Sequence, residues 1–263
     1  MSPPIQMTDI GANLTHDSFD VDRDEVVKRA RNLGIEMIIT GADLEGSQRA
    51  IRLAERYHCR STAGIHPHHA GTADDSAFHR VSELAGDPRV CAVGETGLDY
   101  FRDFSSRDAQ RASFEAHLDI AACNGLPMFL HERDASDDFI KILERHRPRL
   151  GNIVVHCFTG SASALAAYID LDCHIGITGW LADERRGQHL IPLIKTIPTN
   201  RLMIETDAPY LMPRNMIPKP KDRRNEPANL PWVCKAVAEA IDDTQDEVAS
   251  RTHLNAQHFF GLS

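Results

Sequence analysis

Eight short runs of apolar and β-branched residues alternate along the chain with stretches whose apolar residues recur at helical spacing. In the stretch 23–34, for example, Val26, Val27 and Ala30 share one helical face, and Gly34 is a residue typical of a helix C-terminus. Apolar strands that alternate with helices predict a parallel sheet covered by helices. The predicted strands cover residues 7–13, 35–42, 61–67, 90–97, 127–133, 152–158, 174–180 and 201–208.

Eight such units in 263 residues predict an α/β fold, a (β/α)₈ TIM barrel that forms a single domain over residues 1–263. A doubly wound open sheet is the alternative architecture. The residues after the first run, GANLTHDSF, lack the glycine-rich motif that would favour that alternative. The proline-rich segment 209–231 is predicted to be an ordered loop over one end of the barrel. It is not a linker to a second domain, because residues 232–260 after it are only helical in pattern.

Composition and charge restrict the classes of function. The chain is 42% hydrophobic and 25% charged, as soluble globular proteins are, and its formal net charge is −9. An acidic chain does not attract nucleic acid through its overall charge, so a polyanionic substrate would require a local basic patch or a bound cation. We see no secretory signal, no apolar run of about 18 residues and no CxxC pair among six cysteines, and we expect a cytoplasmic protein with reduced thiols and no membrane contact.

Polar residues of metal-binding types occur at or near the C-terminal ends of the apolar runs. In a barrel these strand ends meet at the rim where active sites are built. Imidazole and carboxylate together suit Zn²⁺, Mn²⁺ or Fe²⁺, and suit Mg²⁺ less well because it prefers oxygen. These strand-end residues are Asn13, His66, Glu95, His131, His156 and Asp207.

Each of these residues also has a purely structural interpretation. Glu95 alone could pair with Arg133, and Asp207 alone could cap a turn. Four such residues on four strand ends nevertheless favour a metal centre built from Glu95, His131, His156 and Asp207.

Further polar residues near this rim have open roles. Glu205 shares a strand face with Asp207 and is expected to support a ligand or a basic side chain. His66 and His68 contact a phosphate or a leaving group in one interpretation and belong to the loop surface in the other. Cys157 is predicted in the core. The remaining histidines, which we assign to the surface or the core, include His117, His146, His174, His189, His253 and His258.

Basic and aromatic residues on the same rim suggest how a polyanion would bind to an acidic protein. They would form a basic lip for a few phosphates, although an ordinary solvated surface is the alternative. Tyr100, Phe101 and Trp180 are aromatic residues on which a base could stack. The basic residues are Arg185, Arg186, Arg214, Lys219, Lys221, Arg223 and Arg224.

The motifs GETGLDY, LHERDA, VHCFTG, ETDAPYLMP, ITGWLADERRG and PKPKDRRNEPANLP together resemble the TatD family of metal-dependent nucleases within the amidohydrolase-like barrels. The resemblance extends from Asp9 to the C-terminus. It implies Mg²⁺- or Mn²⁺-supported 3′→5′ exonuclease action on the 3′ ends of single-stranded DNA, with RNA as a further substrate, in DNA repair or turnover by a monomer. The implied metal ligands are Glu95, His131 and His156, with Asp207 as a ligand or general base.

The chain departs from the wider family after its first strand. Most relatives carry His-x-His after an aspartate, whereas here Asp9 is followed by Gly11 and Asn13 at those positions. We therefore expect one firmly bound ion and a second that is weak or absent until substrate arrives.

The mechanistic hypothesis is that an ion on Glu95, His131 and His156 lowers the pKa of water and neutralises phosphate charge, while Asp207 takes the proton. Glu95 and Asp207 are thus the predicted catalytic carboxylates. The predicted substrate contacts are His66, His68, Arg133, Asn13 and Arg224, and Arg133 could grip either a phosphate or a carboxylate ligand. The alternatives are ester or amide hydrolysis, for instance of D-aminoacyl-tRNA, and a non-catalytic binding or scaffold protein.

Overall fold

Eight strands form where the sequence predicts them. The computed structural model describes residues 7–262, so residues 1–6 and 263 of the predicted domain lie outside the described part. Most observed strands are shorter than the predicted runs, and His66, His156 and Asp207 come just after a strand ends. The strands are β1 (Met7–Ala12), β2 (Ile35–Ile39), β3 (Arg60–Ala63), β4 (Val90–Asp99), β5 (Met128–Arg133), β6 (Ile153–Val155), β7 (Cys173–Ile177) and β8 (Leu202–Ile204).

The strands lie in one sheet in the order of the chain, from β1 to β8. The pairs β3–β4, β4–β5, β5–β6 and β7–β8 are parallel. A parallel bridge joins Ala12, at the end of β1, to Ala208 in the segment after β8, so the strand order closes on itself. This sequential, closed order confirms the (β/α)₈ barrel and excludes the doubly wound alternative.

Helices follow the strands, and several of them begin with a residue whose side chain caps the helix. Ser161, for example, accepts the Ala164 N–H at the start of the helix Ala162–Asp170. None of the helices between residues 7 and 262 combines the length and the apolarity that crossing a bilayer requires. The helices are α1 (Arg23–Asn32), α2 (Leu44–Tyr57), α3 (Asp75–Ala85), α4 (Arg107–Asn124), α5 (Ser136–His146), α6 (Ala162–Asp170), α7 (Leu190–Ile194), α8 (Leu230–Ile241) and α9 (Gln245–Phe260).

Contacts within the chain divide it into two compact units. The central unit comprises Ile39–His156 and Gly160–His174. The terminal unit comprises the described parts of Met1–Ile38 and Ile175–Ser263, together with Cys157–Thr159. The single domain over residues 1–263 therefore stays a prediction.

Each unit has its own buried core. In the central unit the rings of Phe114 and Phe139 stack with centroids 5.0 Å apart. The buried Tyr168 packs edge-on against Phe139 and donates its hydroxyl to Glu132 Oε2 at 2.8 Å. The terminal unit buries Ile10, Leu14, Val233, Val237 and Phe259.

The β4 strand passes so close to β5 that only glycine fits at position 97. A Cβ atom on Gly97 would lie 1.9 Å from the carbonyl oxygen of His131, and the φ of this residue is +140°. We expect Gly97→Ala to lower the free energy of unfolding by at least about 3 kcal/mol, because backbone strain and overpacking add. Urea unfolding followed by circular dichroism measures this loss.

Gly125 provides the matched control for this substitution. Its φ is also positive, at +67°, but a Cβ atom there would meet nothing within 4 Å. Gly125→Ala should therefore cost only about 1–2 kcal/mol, the price of a left-handed residue. Equal losses for the two variants would show that the close approach of β4 and β5 is not what constrains position 97.

Candidate metal centre

Three histidine side chains of the central unit converge on one buried carboxylate oxygen. Glu95 lies within β4, and its Oε1 atom is 2.8 Å from His156 Nε2 and 3.1 Å from His131 Nδ1. His66 Nε2 approaches the same oxygen at 3.3 Å. These residues follow or belong to four consecutive strands, so the barrel order brings together side chains that are far apart in the chain.

The protonation states in this cluster follow from burial and from the neighbouring charges. Burial raises the pKa of the Glu95 carboxyl, but the imidazoles of His156, His66 and His131 outweigh it and hold that pKa well below its usual range. Burial lowers the pKa of His66 to about 4 despite Glu95. Burial also opposes the charged form of His131, but Asp99 and Glu95 raise its pKa overall. Glu95 is thus an anion and His66 a neutral imidazole near neutral pH.

The cluster fits a divalent cation. Ligand atoms of His66, Glu95 and His131 all lie within 4.8 Å of one another. His131 Nε2 is buried without a hydrogen-bond partner, and Asp99 Oδ2 lies 3.4 Å from it. A buried imidazole nitrogen without a partner, beside two carboxylates, is an arrangement that a metal ion satisfies. His66, predicted as a substrate contact, thereby joins the ligand candidates, while His156 remains in contact with Glu95.

Asp99 is a residue of this site that the sequence analysis missed. Its Oδ2 atom accepts a hydrogen bond from His68 Nε2 at 2.8 Å, and its Oδ1 atom accepts the N–H groups of Phe101 and Arg102. Burial opposes its charged form, but His131 and His68 hold the pKa of Asp99 far below its usual range. The signal was its spacing in GETGLDY, because residues 95, 97 and 99 alternate onto one face of β4.

His117 holds the backbone immediately before His66. Its Nε2 atom accepts the Ile65 N–H at 3.0 Å, and Nδ1 lies 2.7 Å from the carbonyl oxygen of Ser113. The ring must therefore be neutral, with its proton on Nδ1. Of the two placements that the sequence left open, core is the one observed, since His117 is fully buried.

We expect the free energy of unfolding to decrease as the pH falls, because of His117. Burial lowers the pKa of His117 from 6.5 to about 4, so its contribution is complete above pH 6.5 and is lost as pH falls towards 4. His117→Gln keeps a donor and an acceptor but does not titrate. We expect the stability advantage of the wild type over this variant to shrink by about 3 kcal/mol between pH 7 and pH 4. Urea unfolding at both pH values tests this, and an unchanged difference would contradict it.

Asp207 belongs to the terminal unit, where Asn13 fixes its orientation. Asn13 Nδ2 donates to Asp207 Oδ1 at 2.9 Å, and the Asp207 N–H donates to the carbonyl oxygen of Gly11 at 2.9 Å. Asp207 also has a left-handed backbone, with φ +52°. Asn13, predicted to contact substrate, thus has a contact that positions Asp207.

Two buried carboxyl groups lie beside Asp207 in sequence or in space. Asp9 accepts the backbone N–H and the hydroxyl of Thr206, and burial raises its pKa to about 8. Glu205 Oε1 accepts the N–H of Cys157 at 2.6 Å, and its support of a ligand or a basic side chain stays a prediction. Cys157, predicted in the core, is half-buried, with Sγ 3.7 Å from Thr178 Oγ1.

Several residues of the predicted basic lip are engaged by carboxylates. Arg224 forms a two-pronged ion pair with Asp22, at 2.6 and 2.7 Å. Arg214 pairs in the same way with Glu184. Arg186 pairs with the buried Asp183, and its guanidinium lies 4.1 Å from the ring centroid of Trp180. The exposed remainder of the lip includes Lys219, Lys221 and Arg223.

The predicted aromatic residues of the central unit differ in their surroundings. Tyr100 donates its hydroxyl to Asp138 Oδ2 at 2.7 Å, and Arg107 covers its ring at 4.2 Å. Phe101 is exposed, and the guanidinium of Arg133 lies 4.2 Å from its ring centroid. Arg133 is thus placed on an aromatic ring at the end of β5, two residues after His131.

The chain is similar to known nucleases over nearly all of its length. It is 49% identical over 259 residues to the "3'-5' ssDNA/RNA exonuclease TatD" of Erwinia amylovora, covering 97% of this chain and 100% of that protein. The protein of the same name from Salmonella typhimurium is 45% identical over 256 residues, with 97% and 98% covered.

Solved structures agree with these relatives. A TatD family hydrolase from Entamoeba histolytica superposes with a TM-score of 0.90 at 26% identity, and all of both chains is covered. YJJV, a TatD homologue from Escherichia coli, gives a TM-score of 0.89 at 27% identity over 98% of this chain and 99% of that one. The family model of the TatD related DNases matches residues 8–261. A barrel of this order, a carboxylate ringed by histidines and a match of this extent together show that the chain belongs to the TatD related DNase family.

Proposed function

We propose that this protein is a metal-dependent 3′→5′ exonuclease that hydrolyses the phosphodiesters of single-stranded DNA and RNA. The observation that carries the proposal is the convergence of His66, His131 and His156 on Glu95 Oε1, in a chain similar to proteins named for this activity. We propose Mg²⁺ as the native ion, and the imidazole-rich donor set is also suited to Mn²⁺ and Zn²⁺.

Glu95, His66 and His131 would hold the ion, with His156 against the same carboxylate. A bound divalent cation supplies positive charge at the scissile phosphodiester and lowers the pKa of water. Glu95 is already anionic and His66 already neutral, whereas Asp99 and Glu95 raise the pKa of His131 against the effect of burial and so favour its protonated form, which cannot bind a metal. Metal affinity should therefore weaken as the pH falls.

We propose Asp207 as the general base for the attacking water. The amide of Asn13 holds one of its oxygens, and this contact limits the orientations of the carboxylate. Asn13 then acts through Asp207. Arg133 is proposed to contact phosphate, since a guanidinium can offer two parallel donors to phosphate oxygens.

We further propose that the substrate is a single-stranded 3′ end and that the protein acts as a monomer in the cytoplasm. The six cysteines are all thiols, which is the state that a reducing compartment maintains. Gel filtration with light scattering tests the monomer.

One experiment separates this function from its alternatives. The purified protein is stripped with a chelator, reloaded with Mg²⁺, Mn²⁺ or Zn²⁺, and incubated with single-stranded DNA labelled at the 5′ end and with D-aminoacyl-tRNA. Mononucleotide release that shortens the DNA from its 3′ end supports the exonuclease. Deacylation without nucleotide release would favour the ester hydrolase, and inactivity in both assays with every metal would favour a binding protein.

A further inference from the structure

The loop between β4 and α4 exposes two phenylalanines. Phe101 is 54% exposed and Phe104 is 68% exposed. Two exposed aromatic rings three positions apart in one loop offer apolar surface that a planar ligand can contact.

The loop that carries these rings is held firmly at both ends. Asp99 Oδ1 accepts the N–H groups of Phe101 and Arg102, at 3.1 and 2.8 Å. At the other end, the buried Ser105 donates its hydroxyl to the carbonyl oxygen of His68 and accepts the N–H of Gly71. Gln110 Nε2 donates to the carbonyl oxygens of Asp99 and Ser105. The rings are therefore presented on a rigid backbone, which lowers the entropy lost on binding.

A row of ring contacts connects Phe104 to the candidate metal centre. The ring of Phe104 lies edge-on to that of His68, with centroids 4.7 Å apart. His68 contacts His66 at 4.2 Å, and His66 contacts His131 at 4.5 Å. Phe104 is thus separated from the metal-ligand candidate His66 by a single ring.

Phe101, the other exposed phenylalanine, lies beside two guanidinium groups. The guanidinium of Arg133 lies 4.2 Å from the ring centroid of Phe101, and that of Arg102 lies 5.6 Å from it. Arg133 is next but one to His131 on β5 and pairs in register with Asp99. Phe101 therefore positions a guanidinium beside the candidate metal centre, where a phosphate group would be attracted.

We propose, on the basis of the function proposed above, that Phe104 and the Phe101–Arg133 pair form a binding shelf for an unpaired nucleotide. Phe104 stacks on a base that flanks the scissile phosphodiester, and Arg133, held by Phe101, contacts a phosphate of the same strand. The occupant is a single-stranded nucleic acid, because the shelf combines an exposed aromatic face with positive charge.

The shelf accounts for two features of substrate choice. A base inside a duplex is already stacked and paired, so only a frayed or single-stranded end can offer it to Phe104. Stacking on a ring does not read the 2′-hydroxyl or the identity of the base, so DNA and RNA strands of any sequence are accepted.

The test of the base contact compares Phe104→Ala, Phe104→Trp and the wild type on single-stranded oligonucleotides. The substrates are a normal strand and strands with an abasic nucleotide at the 3′-terminal or the penultimate position. We expect Phe104→Ala to raise KM on the normal strand at least about fivefold with little change in kcat, and Phe104→Trp to restore it. On one of the two abasic strands, Phe104→Ala and the wild type should have the same KM.

The test of the phosphate contact uses salt. Arg133→Gln should lower the slope of log affinity against log salt concentration by about one, equally for normal and abasic strands. Leu254→Ala on α9 is the control for both tests, because it removes an apolar side chain that is 52% exposed, similar to Phe101. This variant should change neither KM nor the slope of log affinity against log salt concentration.

Binding without turnover keeps the shelf and the exonuclease separately testable. A strand with 2-aminopurine at the position found above is titrated with protein in a chelator, where stacking quenches its fluorescence. Quenching that is lost in Phe104→Ala and kept in Phe104→Trp supports the shelf even if no metal restores cleavage. The shelf is overturned if Phe104→Ala binds normal and abasic strands as the wild type does, or if it changes kcat alone.

Discussion

Glu95→Gln should lower the turnover of single-stranded DNA by at least about a thousandfold and should also lower the metal content of the purified protein. The Glu95 carboxylate contacts three imidazole nitrogens, so its replacement by an amide removes the negative charge at the centre of the candidate site. Single-turnover kinetics with saturating Mg²⁺ or Mn²⁺ measures the rate. Elemental analysis after gel filtration measures the metal.

Glu132→Gln is the matched control, because it removes a charge from the neighbouring strand. The Glu132 carboxylate accepts the Tyr168 hydroxyl and the Ala135 N–H, both of which are structural contacts. We expect this variant to lose stability but to keep its metal and its rate per folded molecule. If Glu95→Gln kept wild-type metal content and turnover, the assignment of the metal centre would be wrong.

The fold was predictable because its signal repeats. Few architectures bury eight apolar runs that are separated by amphipathic stretches. Repetition of one strand–helix unit also explains why the strands lie in the sheet in the order of the chain. The lengths of the strands were less predictable. β6 and β8 have only three residues each, Ile153–Val155 and Leu202–Ile204, so His156 and Asp207 come after the assigned strands although they lie inside the predicted runs.

The residue types of the candidate site were predictable, but several of their partners were not. The sequence places His66 at the end of a predicted strand with an open role, and the 3.3 Å approach to Glu95 identifies it as a ligand candidate. Asp99 lies just beyond the predicted strand 90–97, and it contacts His68 across a separation of 31 residues. Pairings of this kind depend on the register of neighbouring strands, which a single sequence does not encode locally.

The charged loop illustrates a similar limit. Arg224 was predicted to contact substrate because it lies among five basic residues in a dozen positions. Its partner Asp22 lies 202 residues away in the chain, and the two-pronged ion pair between them ties the loop to the start of α1. Local charge density therefore overstates the free positive charge, and the contact of Arg224 with substrate stays a prediction.

Asp207→Asn should lower kcat by about 10²- to 10⁴-fold while the metal content stays at the wild-type level. An amide cannot accept the proton of the attacking water, and general-base catalysis contributes effects of this size. The two roles proposed for Asp207 differ in this measurement, since the loss of a metal ligand would reduce the bound metal together with the rate. Presteady-state kinetics and elemental analysis of the same preparation distinguish them.

Asn13→Ala tests the same base through its orientation. The variant removes the amide that donates to Asp207 Oδ1 but leaves the carboxylate itself in place. We expect kcat to fall by about 10- to 100-fold, the range found when partners that orient functional groups are removed. In a double variant with Asp207→Asn the two effects should not add, because an amide that orients a base has nothing left to orient. Full additivity of the two effects would instead mean that Asn13 contributes independently of Asp207, as expected if it contacts the substrate.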